Sequence, residues 1–163
     1  MPRFRMIAAL AATGLAAGAL VTAAVASPIP EDTKYVRTWV LVPMTAAAEV
    51  PGPGATAASG DATMQVDWAA RKFCFAFNVK GLDGPITAAH LHKGAVGVAG
   101  GPVVTFKKGT RSQTWEGCAD VTPELAADIL AKPTDYYVNV HTAGFPAGAL
   151  RAQLTDTNDT LTR

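Results

Sequence analysis

Histidine and cysteine are scarce in this chain of 163 residues, with three of the first and two of the second. Charge is thin as well, at 17% of residues, and the formal net charge is +1. Without Arg3 and Arg5, which precede an N-terminal apolar run, 12 basic residues face 13 acids and the net charge becomes −1. No basic stripe remains to grip nucleic acid and no polybasic patch to hold an anionic membrane. A Gly-x-Ser-x-Gly elbow is missing, and Ser27, Ser59 and Ser112 stand in ordinary contexts, which sets nucleophilic hydrolysis aside. Glu49, Glu116 and Asp120 are available as an acid and a base, but nothing in their spacing selects them. No internal repeat of useful length is present.

What is present begins with a secretory signal. Arg3 and Arg5 form a short positive region, residues 6–25 are uncharged and rich in Ala, Leu and Gly, and Ala24-Val25-Ala26 is a small-x-small cleavage site. The expectation is a signal peptide over residues 1–26, cut before Ser27; the rival reading is a membrane anchor, for which the run is about long enough. Alanine and glycine make the run only weakly apolar, which favours cleavage. No cysteine follows it, so there is nothing to lipidate. The mature chain, residues 27–163, is long enough for one domain with a real core and too short for two ordinary ones. Its expected address is periplasmic or secreted, with no membrane contact after cleavage.

In an oxidising compartment Cys74 and Cys118 read as one disulfide, worth roughly 4 kcal/mol on chain-entropy arithmetic. The alternative, a thiolate metal ligand of the blue-copper kind, needs Cys, His and Met close together, and neither cysteine has that neighbourhood.

Residues 27–43 read as an extended leader marked by Pro28 and Pro30, followed by a first strand at 35–42. That strand has Val36, Val40 and Val42 on one face and Trp39 and Leu41 on the other, as if covered on both. Residues 44–155 form the expected β domain. The Pro- and Gly-rich stretch Glu49-Val50-Pro51-Gly52-Pro53-Gly54 is a loop. Ala62, Met64 and Val66 alternate with polar residues, and Phe73, Phe75, Phe77 and Val79 alternate against Cys74, Ala76 and Asn78, predicting a hairpin whose aromatic face is core. Further strands are expected at 86–92, 103–106, 115–120 and 137–142, with a last one carrying Leu150, Ala152 and Leu154 inward and Arg151 and Gln153 outward. Thr122 as N-cap, Pro123 at the first helical position, and Leu125, Ile129 and Leu130 as an apolar stripe predict one short helix, stopped by Pro133. Residues 156–163 read as a frayed polar tail. Asn158-Asp159-Thr160 matches a glycosylation sequon, a short pattern that matches often by chance. Seven to eight short strands with turn chemistry between them predict an all-β Greek-key sandwich or barrel.

All three histidines lie in two of these strands, at His90, His92 and His141. Alternation puts His90 and His92 on one face, with Cα atoms about 6.5–7 Å apart, and a neighbouring strand about 4.8 Å away can supply the third imidazole. Thr87, Ala89 and Leu91, like Val138 and Val140, make the better inward sides, so the imidazoles project from the outer face. Two readings stand. Either these are ordinary polar residues on a solvated face or hydrogen-bond partners that pin the adjacent loops, or the loops at 94–101 and 143–148 fold over that face and enclose a three-histidine metal site. Neutral imidazoles suit Zn, Cu, Fe or Ni, and the lack of a neighbouring carboxylate argues against Ca or Mg. Three protein ligands with an open fourth position is the pattern of reactive sites.

The chain resembles the CHRD (chordin-type) domain family. The resemblance is carried by Ala48-Glu49-Val50-Pro51, Gly60-Asp61-Ala62 and Val79-Lys80-Gly81-Leu82, then by Thr87-Ala88-Ala89-His90-Leu91-His92-Lys93-Gly94. It continues in Tyr137-Val138-Asn139-Val140-His141-Thr142 and Gly148-Ala149-Leu150-Arg151-Ala152-Gln153-Leu154, covering about residues 44–154. Ala149 and Ala152 depart from the family's usual acidic residue and glycine, and the cysteine pair is not a hallmark of it. The resemblance implies an exported β domain, found in animals within chordin, which binds secreted growth factors, and it implies no established reaction. A fainter similarity is to copper/zinc superoxide dismutases, where His90, His92 and His141 would match copper ligands and Arg151 the arginine that guides an anionic substrate. The bridging histidine and the zinc-binding set of that family have no counterpart.

The expected function is therefore an exported binding module that can hold copper or zinc through His90, His92 and His141, its partner an extracytoplasmic protein or small ligand. The alternatives are a dismutase-like copper enzyme and an interaction domain without metal. Metal affinity is expected to fall below about pH 6.5 as imidazoles protonate.

Overall fold

The structure, a computed structural model, describes residues 36–108, 115–156 and, as backbone, 159–162. The expected signal peptide, the leader, Ser112 and Asn158 lie outside the described residues.

Among the described residues, nine antiparallel strands and one α-helix make up the fold. In chain order they are β1 (Val36–Thr45), β2 (Ser59–Asp67), β3 (Lys72–Lys80), β4 (Ala88–Lys93), β5 (Pro102–Thr105) and β6 (Trp115–Asp120), followed by α1 (Pro123–Ala131), β7 (Tyr136–His141), β8 (Leu150–Gln153) and β9 (Asp159–Thr162). They form one sheet in the order β5-β4-β7-β8-β1-β2-β3-β6, with β9 paired to β1. The β3–β4 and β5–β6 connections cross from one half of the sheet to the other and roll it into a nearly closed all-β barrel. Phe106, just past β5, stacks on Phe75 of β3 with ring centroids 4.2 Å apart, and on Phe73 at 5.7 Å, so the two ends of the sheet meet through aromatic packing.

Period-two patterning decides most of the interior. Ala62, Met64 and Val66 of β2 and Phe73, Phe75 and Phe77 of β3 are all buried, with Met64 opposite Phe75 in the register. The short helix is capped as its sequence predicts: the Leu125 N–H donates to Thr122 Oγ1, and Ala126 and Ile129 enter the core while Leu125 and Leu130 are half-buried against it.

Two expectations are corrected. β1 is not a regular strand covered on both faces, because a bulge lies between Trp39 and Val42 and Leu41 sits at φ 50°. The extra residue lets Trp39, Val42 and Met44 all reach the core and leaves Val40 and Leu41 exposed. The tail, in turn, pairs instead of fraying. β8 meets β1 only at Thr45, which leaves the backbone of its first half open on that side, and β9 fills it with Val36 opposite Thr162.

Cys74 and Cys118 face each other directly across β3 and β6 and are bonded, which fits an oxidising compartment. Replacing both by serine should cost roughly 4 kcal/mol in urea denaturation, because 44 residues separate the pair in the unfolded chain. An unchanged midpoint would show that the bond adds nothing beyond the strand pairing.

Candidate metal centre

β4 and β7 pair with Ala88 opposite His141, His90 opposite Asn139 and His92 opposite Tyr137. Ala89, Leu91, Val138 and Val140 point into the core and are fully buried. The alternation therefore sets His90, His92, Tyr137, Asn139 and His141 together on the opposite face.

That face is covered. Every residue of β7 is buried, on both sides of the sheet, because two loops fold over it. Residues 94–101 are drawn down by Arg151 of β8, whose Nη1 donates to the Val98 carbonyl at 2.9 Å and whose Nη2 donates to the Ala95 carbonyl at 2.8 Å. Gln153 Nε2 donates to the Gly94 carbonyl at 3.0 Å, and Gly94 N–H to the Asp135 carbonyl at 2.7 Å. At the return of this loop Gly100 lies so close to the Lys93 carbonyl that a Cβ would overlap it, so the turn requires glycine. Residues 143–148 cover the His141 end. The histidine face is therefore covered by both loops and not left to solvent along β7.

The loops also orient the rings. His92 Nδ1 lies 2.8 Å from the Gly100 carbonyl, and His141 Nδ1 lies 3.0 Å from the Pro146 carbonyl. A carbonyl only accepts, so both Nδ1 atoms carry the proton and both Nε2 atoms present a lone pair, which at His141 is met by His90 Nδ1. His90 Nδ1 stands 3.0 Å from His141 Nε2. The ring centroids are 5.4 Å apart for His90 and His92 and 4.9 Å for His90 and His141, and one nitrogen from each of the three lies within 4.8 Å of the others. His92 Nε2 is buried with no hydrogen-bond partner. An unpartnered, properly tautomerised imidazole nitrogen beside two more is the donor set that zinc and copper take, and backbone carbonyls behind the rings are the usual second layer of such sites. His90 is only half-buried, so the cluster opens to solvent on its side.

All three imidazoles have pKa values below the ordinary one. Burial is the main cause in each; His141 and His92 add repulsion at His90, and His92 adds it at His141. At His92 burial is opposed by the bond to the Gly100 carbonyl and by the neighbouring Asn139 side chain, and Arg151 adds a smaller downward push. The cluster is thus neutral at neutral pH, in the form that binds metal.

Next to it the Tyr137 ring stacks on His92 at 4.7 Å, and the Arg151 guanidinium lies 3.4 Å from the Tyr137 ring. Arg151 is 2% exposed, and its donors are taken by the loop carbonyls and by Gln153 Oε1 at 2.6 Å. It clamps the covering loop to the sheet.

Two neighbours of the site were not selected by the sequence. Asn139 is 2% exposed and Glu49 7%. The Glu49 carboxyl packs on Gly148, which has φ +145° and no room for a Cβ. Burial raises the Glu49 pKa to about 7 against the pull of Arg151, Asn139 and the Val50 N–H. The available signal was the Glu49-Val50-Pro51 run, which says nothing about what the carboxyl faces. Glu116 and Asp120 are not brought here; they lie along β6 opposite Ala76 and Lys72.

Fold and site define an all-β barrel with a three-histidine cluster roofed by two loops. The CHRD domain family matches residues 40–154, beginning inside β1, and the chain belongs to that family. No curated protein and no solved structure matches it.

Proposed function

We propose that this CHRD domain is an exported, periplasmic or secreted binding module that holds one copper or zinc ion through His90, His92 and His141. The observation that carries this reading is the buried, unpartnered His92 Nε2 set beside two other imidazoles, with the rings of His92 and His141 already fixed by backbone carbonyls. The disulfide supports an oxidising address. When bound, copper would supply one-electron chemistry and zinc a Lewis acid. The protein's part is to hold three neutral donors rigidly, exclude water from the His92 and His141 side, and leave the His90 side open to a fourth ligand, an extracytoplasmic protein or a small molecule.

A second reading draws on the same hydrogen bonds. The contacts of His92 with Gly100 and of His141 with Pro146 tie down both loops, and a domain that used its histidines only for that would be an interaction module without metal. A dismutase-like enzyme has less support, since the donors of Arg151 are turned to carbonyls.

Metal content separates these readings. The mature protein is incubated with copper and with zinc, desalted and analysed by mass spectrometry beside a folded His90→Ala/His92→Ala/His141→Ala variant. The expected result is close to one ion per chain in the wild type and none in the variant. Equal, negligible metal in both would leave the loop-tying role alone. A superoxide assay on the copper form then separates a carrier from an enzyme.

A further inference from the structure

Among the described residues, three buried side-chain atoms have no hydrogen-bond partner: Glu49 Oε1, Asn139 Oδ1 and His92 Nε2. They are not scattered. The Asn139 side chain faces the Glu49 carboxyl on one side and the His92 ring on the other, and its own strand position lies opposite His90 on β4 and Arg151 on β8. Asn139 thus stands between the histidine cluster and one buried carboxyl.

Charge gives that carboxyl a task. Three neutral imidazoles bring no negative charge to a dication, and Arg151 adds a buried positive charge nearby. A buried cation without a counter-charge is costly in a low-dielectric interior. Among the described residues Glu49 is the one buried carboxyl. The charged group facing it is Arg151 from β8; β7 offers the neutral Asn139, and the 143–148 loop meets it with Gly148.

We propose that Glu49 is the counter-charge residue of the three-histidine site: it ligates nothing, stands behind Asn139, and stabilises a bound dication by its field. This deepens the metal-holding reading and rests on it. At an effective dielectric constant of about 20, a carboxylate several ångström beyond the ligand shell changes the affinity for a dication by a factor on the order of ten or more. The same field acts half as strongly on a monocation.

The test is competition titration of the full mature chain with Zn2+ and with Cu+, at pH 8, in the wild type and in Glu49→Gln, which keeps the shape and removes the charge. The expected result is a loss of roughly tenfold or more for Zn2+ and a clearly smaller loss for Cu+, with no fall in the melting temperature of the metal-free variant. Equal Zn2+ affinity in the two proteins would overturn the proposal while the metal site stands. Equal losses for both ions, or a lowered metal-free melting temperature, would overturn it in favour of structural support. Failure of the wild type to bind either ion would overturn the metal site itself, and this proposal with it.

Discussion

Arg151→Met should lower the melting temperature of the domain by roughly 10–20 °C, corresponding to about 3–5 kcal/mol for a domain of this size. The side chain is almost completely buried, and its guanidinium donates to the Val98 and Ala95 carbonyls and to Gln153, beside the Tyr137 ring. Methionine fills a similar volume but satisfies none of these acceptors and lacks the guanidinium's contact with the Tyr137 ring. Burial already lowers the Arg151 pKa, and the charge is kept in place by Tyr137 and Glu49. Glu49 loses its cationic neighbour in the variant and escapes part of the penalty by keeping its proton, which caps the loss. Hydrogen exchange should accelerate over residues 94–101, because that loop crosses the sheet on Arg151. Calorimetry and exchange together check this: a loss below about 1 kcal/mol with unchanged protection would show that the loop holds itself.

Glu49→Gln should act in the opposite direction and raise the stability of the metal-free domain at pH 8 by about 2–3 kcal/mol. The folded pKa of Glu49 is about 7 against an ordinary value of 4.5, so between those values the native state binds more protons than the unfolded one. Its contribution to stability is therefore highest at low pH, falls as pH rises from 4.5 toward 7, and is fully lost above 7. Glutamine removes that slope, so the gain at pH 5 should be under about 1 kcal/mol. The histidines slope the other way: with folded pKa values lowered, they withdraw stability as pH falls below 6.5. Because wild type and variant share those histidines, the difference between their urea midpoints at pH 5 and pH 8 isolates Glu49. An equal difference at both pH values would mean that the carboxyl titrates near its ordinary value.

The two substitutions together describe how the site face is built. One buried cation clamps a loop over the histidines, and one buried carboxyl beside it is held out of its preferred charge state. The metal-free domain carries the cost of that carboxyl. On the proposed reading, a bound ion recovers it.

Much of this was legible in the chain itself. The alternation in β2 and β3 placed Met64, Phe73, Phe75 and Phe77 inward, the Thr122-Pro123 start placed the helix, and the spacing His90-x-His92 put two imidazoles on one face, with His141 beside them once β4 and β7 paired. These depend on side-chain direction along a single strand or helix turn, which the local sequence determines. The disulfide followed from compartment and count, and the strand register bore it out.

Other features were set only by closure of the barrel. Alternation said that His90, His92 and His141 point away from the core, but not whether water or protein meets them there. That was decided by Arg151 reaching carbonyls 53 and 56 residues earlier in the chain. The bulge in β1, which moves Val42 inward and Leu41 outward, and the pairing of β9 with the open half of β1 depend likewise on which strands became neighbours. Glu49 is the clearest case. In sequence it is one acid before a proline turn, and its raised pKa comes from being folded beneath Gly148 and beside Asn139, almost a hundred residues away. Period and capping are local, whereas burial of a polar group is a property of everything packed against it, and that is fixed only in the tertiary structure.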